Sequence, residues 1–156
     1  MPTAQEWLDL NYPTKKKREN IKEVDLTNQN LIGDLDISDF DGGFDGTYFI
    51  LNGNPNLGKI IDRKKNKTQI TLNPKPPQIS TQEYLERELN QSVRQSVKRL
   101  DLFKKALTDS ADFSKFGNLE ELCYSINNLT SLVIPSQLVR LSCHREKFLI
   151  ELIILS

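Results

Sequence analysis

Apolar residues recur along this chain at short, unequal intervals that fit neither an α-helix nor an ordinary strand. The clearest stretch is NLEELCYSINNLTSLVIPSQLVRLSC, residues 118–143. An offset of 19 positions places Leu122 on Leu141. Each copy has the form apolar-x-x-apolar-x-apolar-x-x-N-x-apolar, with Asn127 at the polar position and Glu146 replacing it in the next copy. The pattern predicts a structural repeat, because self-similarity at a period of about 20 residues is typical of repeat architectures.

Earlier segments follow the same pattern less closely. IKEVDLTNQNL (residues 21–31) and LGKIIDRKKNK (residues 57–67) are interpreted as two further copies. Each copy is predicted to end in an apolar-x-apolar step, and the four steps are Leu35–Ile37, Ile70–Leu72, Leu132–Ile134 and Leu152–Ile154. The register of FDGGFDGTYFILNGNPN, residues 40–56, stays open because no single alignment satisfies it.

Leucines followed by Asn at this spacing resemble the leucine-rich repeat family, and LEELCYSINNLTSL (residues 119–132) is the most specific piece. The opening AQEWLDLNYP also resembles the entry to short, Asn-rich members of that family from fungi. The resemblance implies an α/β fold built as a short, degenerate leucine-rich-repeat solenoid with parallel strands on one face. It also implies a protein-binding role for the exposed strand face.

Strand geometry in such coils separates the core from the binding surface, because successive side chains of a strand point to opposite faces. Leu122 and Tyr124 are predicted to point inward, and Asn127 to hydrogen-bond the bent backbone inside its coil. The candidate contacts for a partner are the outward positions of three coils: Glu23, Asp25, Thr27, Glu121, Cys123, Ser125, Arg140, Ser142 and His144.

Two helices are predicted beside the repeats. The residues from Thr3 to Glu6 form a capping-box pattern that opens a short cap helix with Trp7 against the core. A second capping box at Ser80 starts a long inserted amphipathic helix through Leu107, which packs on the flank of the coils or pairs with a second copy. The predicted organisation is an N-terminal helical cap at 1–19, degenerate repeats at 20–75, a Pro-rich link and amphipathic helix at 76–116, and repeats without a C-terminal cap at 117–156.

The charge balance points to no particular class of partner. Lys and Arg number 21, as do Asp and Glu, so no net field draws the chain to nucleic acid. KKKR at residues 15–18 is interpreted as a solvated link rather than a nuclear-import signal. Because there is no secretory leader and no apolar run of about 20 residues, we predict a cytoplasmic or nuclear protein without a membrane span.

No set of catalytic residues is recognisable in the sequence. His144 adjoins Cys143, but neighbouring residues of a strand point to opposite faces and cannot act as base and nucleophile. Two cysteines and one histidine leave a zinc site short of ligands. The acidic residues of LDISDFDGGFDG, residues 35–46, lack the spacing of a calcium loop. We therefore expect a non-enzymatic protein with no cofactor and no metal.

The leading hypothesis is a protein-protein interaction module of the leucine-rich repeat type. One alternative is a structural protein that dimerises through the helix at residues 80–107. Another is a basic-patch nucleic-acid binder, which is disfavoured because no aromatic residues are interleaved with the basic runs to stack on bases. Self-association is also predicted through Phe148–Leu155, since uncovered apolar strand edges pair with other chains.

Overall fold

The computed structural model describes residues 2–42, 46–63, 68–142 and 151–155. It is a mixed α/β fold whose strand pairs, within those residues, are all parallel. The elements in chain order are α1 Ala4–Asn11, α2 Lys15–Glu19, β1 Glu23–Asp25, β2 Gly33–Asp36, β3 Tyr48–Ile50, β4 Leu57–Ile61, β5 Gln69–Thr71, α3 Thr81–Glu88, α4 Gln91–Ser96, β6 Arg99–Asp101, β7 Thr108–Asp112, β8 Glu121–Cys123, β9 Asn128–Pro135, β10 Arg140–Ser142 and β11 Glu151–Leu155. Parallel pairing requires a crossover after each strand, which the intervening elements supply.

The largest sheet has six strands in the order β1-β3-β5-β6-β8-β10, which is also their order along the chain. One apolar residue occupies the centre of each strand: Val24, Phe49, Ile70, Leu100, Leu122 and Leu141. The first five are buried, and Leu141 is partly buried against the same core. Leu122 and Leu141 are direct register partners, so the pairing predicted from the 19-residue offset is confirmed.

Two smaller sheets lie in the crossovers, one with the order β2-β4 and one with the order β11-β9-β7. Between β5 and β6 the chain forms α3 and α4 instead of a strand. Helix α4 lies against β4, where Ser96 Oγ accepts a hydrogen bond from Ile60 N at 2.8 Å and Asn90 Nδ2 donates to Leu57 O at 2.7 Å. Buried residues from all three sheets and from α1, α3 and α4 form one hydrophobic cluster.

The N-terminal helix begins with the capping box that the sequence predicts. Thr3 Oγ1 accepts from Glu6 N at 3.1 Å, and Glu6 Oε2 accepts from Thr3 N at 2.9 Å. Ala4 N donates to Ile32 O at 2.8 Å, which joins the start of α1 to the residue preceding β2. Leu8 is buried and Trp7 packs partly buried against the core, so the predicted helix and its apolar contacts are confirmed.

The single helix predicted from residue 80 to residue 107 is wrong. Helix α3 ends because Leu89 is extended, with φ −121° and ψ 97°. Asn90 then caps α4 by accepting from Val93 N at 3.0 Å, and β6 follows α4. Six apolar residues of the predicted stripe are at most 1% exposed, and they are Leu85, Leu89, Val93, Val97, Leu100 and Leu107. Of the stripe, only Phe103 is exposed, at 46%. The stripe therefore belongs to the chain's own core, which removes the surface on which helix-mediated dimerisation depended.

Part of the predicted repeat register is also wrong. LGKIIDRKKNK supplies β4 of a smaller sheet, whereas Ile70–Leu72, predicted as the end of a copy, begins in β5 of the large sheet. The stretch whose register stayed open supplies β3. Central residues of successive strands are 19 residues apart from Leu122 to Leu141 but 30 apart from Ile70 to Leu100. A single offset therefore cannot align all the strands.

The basic run at residues 15–18 forms α2 and is not merely a solvated link. Arg18 is only 8% exposed. Its Nη2 lies 2.7 Å from Asp9 Oδ1, and its guanidinium carbon lies 5.4 Å from the centroid of the Phe40 ring. One of the four basic residues thus has a structural role. Within the described part of the chain, the helices are too short and too polar to cross a membrane.

Candidate functional site

The large sheet carries two rows of side chains on either side of its central apolar row, and we call these rows the outer face. The row before the central residues contains Glu23, Tyr48, Gln69, Arg99, Glu121 and Arg140. The row after them contains Asp25, Ile50, Thr71, Asp101 and Cys123, and it ends at the backbone of Ser142. In the second row, register pairing places each residue directly beside the next. Side chains on neighbouring strands lie about 4.8 Å apart in this direction, so the outer face is a continuous surface.

Most of the residues predicted as partner contacts are accessible on this face. Glu23, Asp25 and Arg140 are exposed, and Thr27, Glu121 and Cys123 are partly exposed. The backbone of Ser142 belongs to β10, and His144 lies outside the described residues.

Ser125 is a correction to the predicted set, because its side chain is only 4% exposed. Strand β8 ends at Cys123, and Ile126 has a positive φ of 56°. The alternation of a strand does not extend past such a bend. The Ser125 carbonyl accepts hydrogen bonds from Lys104 N at 2.9 Å and from Asn127 Nδ2 at 3.3 Å. Ser125 therefore holds the turn together rather than facing a partner.

A groove of about 220 Å³ crosses the outer face at its N-terminal half, and we call it the acidic groove. It is lined by Glu23, Tyr48, Ile50, Thr71, Asp101, Phe103 and Lys105. Of these residues only Glu23 was predicted from the sequence. A usable signal was present, because VDLT at residues 24–27 and LDLF at residues 100–103 share the order apolar-Asp-Leu followed by a turn residue.

The backbone around Phe103 explains why this ring is exposed. Asp101 Oδ1 accepts from Phe103 N at 2.9 Å, which closes a tight turn immediately after β6. Lys104 and Ala106 then adopt positive φ values of 52° and 59°. Thr71 Oγ1 donates to Asp101 O at 2.6 Å, fixing the end of β6 to β5. The groove is therefore set in position by hydrogen bonds.

The charges of the outer face are unevenly distributed. At its C-terminal end, Glu121 faces Arg140 at 4.0 Å, so the two charges offset each other. At its N-terminal end, Glu23, Asp25 and Asp101 form no ion pair within the described residues. Hydrogen bonds from the side chain and backbone of Thr27 hold the pKa of Asp25 below its usual value. This half of the face is therefore anionic at neutral pH, with Lys105 as the cation of the groove.

Arg99 occupies an outer-face position, but its charge is not available there. It is 9% exposed and forms a buried ion pair with Asp62. Its Nε donates to Thr68 O at 2.8 Å, and Thr68 Oγ1 donates to Asp62 Oδ2 at 3.2 Å. Burial raises the pKa of Asp62, while the guanidinium of Arg99 opposes that rise. The pair therefore keeps the charge of Arg99 away from the outer face.

Two buried asparagines fix the loops that follow the strands of the outer face. Asn127 Nδ2 donates to Leu102 O at 2.8 Å and Tyr124 O at 2.6 Å, and its Oδ1 accepts from Leu107 N at 2.9 Å and Lys105 N at 3.1 Å. This confirms the hydrogen-bonding role predicted for Asn127.

Asn54 is arranged in a similar way after β3, where it joins the residues that follow β1 and β3. Its Nδ2 donates to Leu26 O at 2.7 Å and Leu51 O at 3.0 Å, and its Oδ1 accepts from Leu31 N at 2.9 Å. Each asparagine thus joins the loops that follow two neighbouring strands of the large sheet.

No group of three or more His, Cys, Asp or Glu side chains in the described part of the chain is arranged to hold a metal ion. No protein-family model matches the chain, and no curated protein or solved structure matches it either.

Proposed function

We propose that this protein is a non-enzymatic protein-binding module that holds a basic side chain of its partner in the acidic groove. The groove carries the proposal, because it joins carboxylates that lack an ion-pair partner among the described residues to an exposed aromatic ring. Glu23 and Asp101 supply the negative charge, and Phe103 supplies the ring.

We further propose that the chain is a short solenoid of the leucine-rich repeat type, with α1 as its N-terminal cap. The agreement between strand order and chain order in the large sheet supports this, as does the apolar residue at the centre of each strand. The hydrogen bonds of Asn54 and Asn127 between coils are further support. A stack of this kind presents a preformed surface, which lowers the ordering cost of binding.

The charge of the groove favours a cationic partner group. A Lys or Arg side chain would meet Glu23 and Asp101 with opposite charge and could lie over the Phe103 ring, an arrangement worth about 0.5–2 kcal/mol. A phosphate backbone would instead be repelled by the same carboxylates. The groove therefore supports a basic protein segment over a nucleic acid.

The size of the groove suits one side chain rather than a whole ligand. Its volume of about 220 Å³ is below the range of about 300–1,000 Å³ that is usual for small-molecule pockets. A partner would insert one long side chain here, and its neighbouring residues would extend across the strands toward Gln69 and Glu121 of the outer face.

Selection of peptides on the purified chain tests the proposal. A random displayed library is selected against the wild type, and the enriched peptides are then measured against the double variant Glu23→Gln/Asp101→Asn. We expect enriched peptides to contain Lys or Arg beside an apolar residue. We also expect them to bind the double variant at least about tenfold more weakly, a difference of about 1.4 kcal/mol.

The matched control is Glu83→Gln, which removes an exposed carboxylate from α3, outside the outer face. This variant should bind the selected peptides as the wild type does. Enriched peptides without a basic residue, or equal binding to the double variant and the wild type, would contradict the proposal. Phe103→Ala separates the contribution of the ring from that of the charges, and we expect it to weaken binding as well.

A further inference from the structure

A second cavity lies away from the outer face, between the α3–α4 pair and the β11-β9-β7 sheet. It has a volume of about 330 Å³ and is lined by Gln82, Glu86, Arg94, Ser110, Ala111, Asp112, Lys115, Phe116, Ser131 and Val133. This volume falls in the range of about 300–1,000 Å³ that is typical of small-molecule pockets. The cavity is therefore large enough for a molecule of amino-acid size.

The walls of this cavity are fixed by side chains of α3 that bond the edge of β7. Thr81 Oγ1 accepts from Thr108 N at 2.8 Å, and Gln82 Oε1 accepts from Asp112 N at 2.9 Å. These contacts take the place of a neighbouring strand at both ends of β7. The space between helix and strand is therefore defined by the fold itself.

Two cations and two anions line this cavity without forming ion pairs with one another. Arg94 and Lys115 are the cations, and Glu86 and Asp112 are the anions. None of the four belongs to a salt bridge within the described residues. Arg94 Nε is buried and has no hydrogen-bond partner among those residues. A buried donor without an acceptor is costly. Arg94 itself lines the cavity, so an anionic group of a ligand placed there would meet its positive charge.

The remaining lining combines an apolar floor with a hydroxyl pair. Ala111 and Phe116 are buried, and Val133 is partly buried. Ser131 Oγ and Ser110 Oγ are joined by a hydrogen bond of 2.6 Å. The cavity thus offers an apolar surface, a hydroxyl pair and charges of both signs.

We propose that this cavity binds a small zwitterion of the α-amino acid class. The carboxylate of the ligand bonds the guanidinium of Arg94 and the ammonium of Lys115. Its own ammonium group faces Glu86 and Asp112, and its apolar side chain covers Val133. A polyanion such as a nucleotide is disfavoured by the two carboxylates, and an uncharged apolar ligand would offer no opposite charge to any of the four charged groups.

Isothermal titration calorimetry on the full chain tests this site with a panel of common amino acids as probes. We expect at least one amino acid with an apolar side chain to bind saturably at millimolar or lower concentration. For that amino acid, the analogue without the ammonium group and the analogue without the carboxylate should each bind at least about tenfold more weakly. Retained affinity for either analogue, or no binding by any amino acid, would overturn the proposal.

Variants place the binding in this cavity rather than elsewhere. Arg94→Gln should weaken the same amino acid at least about tenfold, whereas Arg87→Gln, on the neighbouring α3 and outside the cavity, should leave it unchanged. If thermal denaturation shows that Arg94→Gln does not fold, Lys115→Gln is used in its place and should also weaken binding. Unchanged affinity in the folded cavity variant would overturn the proposal. The groove variant Glu23→Gln/Asp101→Asn should bind the amino acid normally, so the two proposed sites are tested separately.

Discussion

The buried amide of Asn127 provides the sharpest test of how the loops after neighbouring strands of the large sheet are held together. Its Oδ1 accepts from Lys105 N at 3.1 Å and from Leu107 N at 2.9 Å. Among the described residues, neither of these backbone N–H groups has another acceptor. Asn127→Ala removes that acceptor and leaves both donors in a space that the side chain itself had filled.

The expected cost follows from the two orphaned donors. A buried backbone group that loses its partner costs about 1–3 kcal/mol. The bond to Leu107 N is buried and the bond to Lys105 N is part-buried, so the substitution should lower the free energy of unfolding by about 2–4 kcal/mol. Domains of this size are stable by about 5–15 kcal/mol. Asn127→Ala should therefore remove a large share of the stability. Asn54→Ala should cost less, because Asn54 Oδ1 accepts from only one N–H, that of Leu31.

Urea denaturation followed by circular dichroism measures these differences. Asn128→Ala is the matched control, because the adjacent asparagine is exposed and surface substitutions usually stay within about 0.5 kcal/mol. The midpoint should fall strongly for Asn127→Ala with an unchanged slope, which reports a loss of stability rather than of compactness. If Asn127→Ala behaves like Asn128→Ala, the asparagine bridge does not support the fold and the reasoning is refuted.

Two further predictions concern the backbone and the N-terminal ion pair. Gly53 has φ +77°, and an added Cβ would lie 2.0 Å from Asn28 Oδ1, so Gly53→Ala should lower the unfolding free energy by more than about 1 kcal/mol. Gly117→Ala, whose Cβ would come no closer than 4.0 Å to its neighbour, should be nearly neutral in the same urea titration. The hydrogen bond from Arg18 holds the pKa of Asp9 below its ordinary value, and NMR titration of Arg18→Met should find that pKa higher, nearer the ordinary value. The contribution of this pair to stability should be present above the ordinary pKa of Asp and disappear as the pH falls through the lowered folded pKa; an unmoved Asp9 titration would contradict this.

The sequence predicted local structure correctly where a residue pattern is compatible with only one conformation. The 19-residue offset predicts the pairing of Leu122 with Leu141, and the structure has these residues in register. The Thr3 capping box predicts α1. Its hydrogen bonds join the side chain of each residue to the backbone N–H of the other, three residues away, and so need no distant partner. Asn127 was also predicted as an inward hydrogen-bonding residue, since a buried bend leaves amide groups that need partners.

The segment from residue 80 to residue 107 shows why other predictions failed. Apolar residues three and four positions apart fit a helix, but the same spacing also occurs where a helix ends and a strand follows. Val97 is buried after the end of α4 and Leu100 is buried at the centre of β6. The hydrogen bonds of β6 with β5 and β8 decided its conformation, and those neighbours are distant in the sequence.

The acidic groove depends on tertiary structure in the same way. Glu23 lies in β1 and Asp101 in β6, with β3 and β5 between them in the large sheet, and only the pairing of these four strands brings the two residues to one groove. The sequence alone determined that most of the apolar side chains are buried and where local caps begin α1 and α3, because hydrophobicity and capping act at short range. Tertiary structure alone decided which crossovers contain strands, that Arg99 pairs with Asp62, and which charged side chains share a surface. These outcomes depend on contacts between residues that are distant in the sequence and meet only in the folded chain.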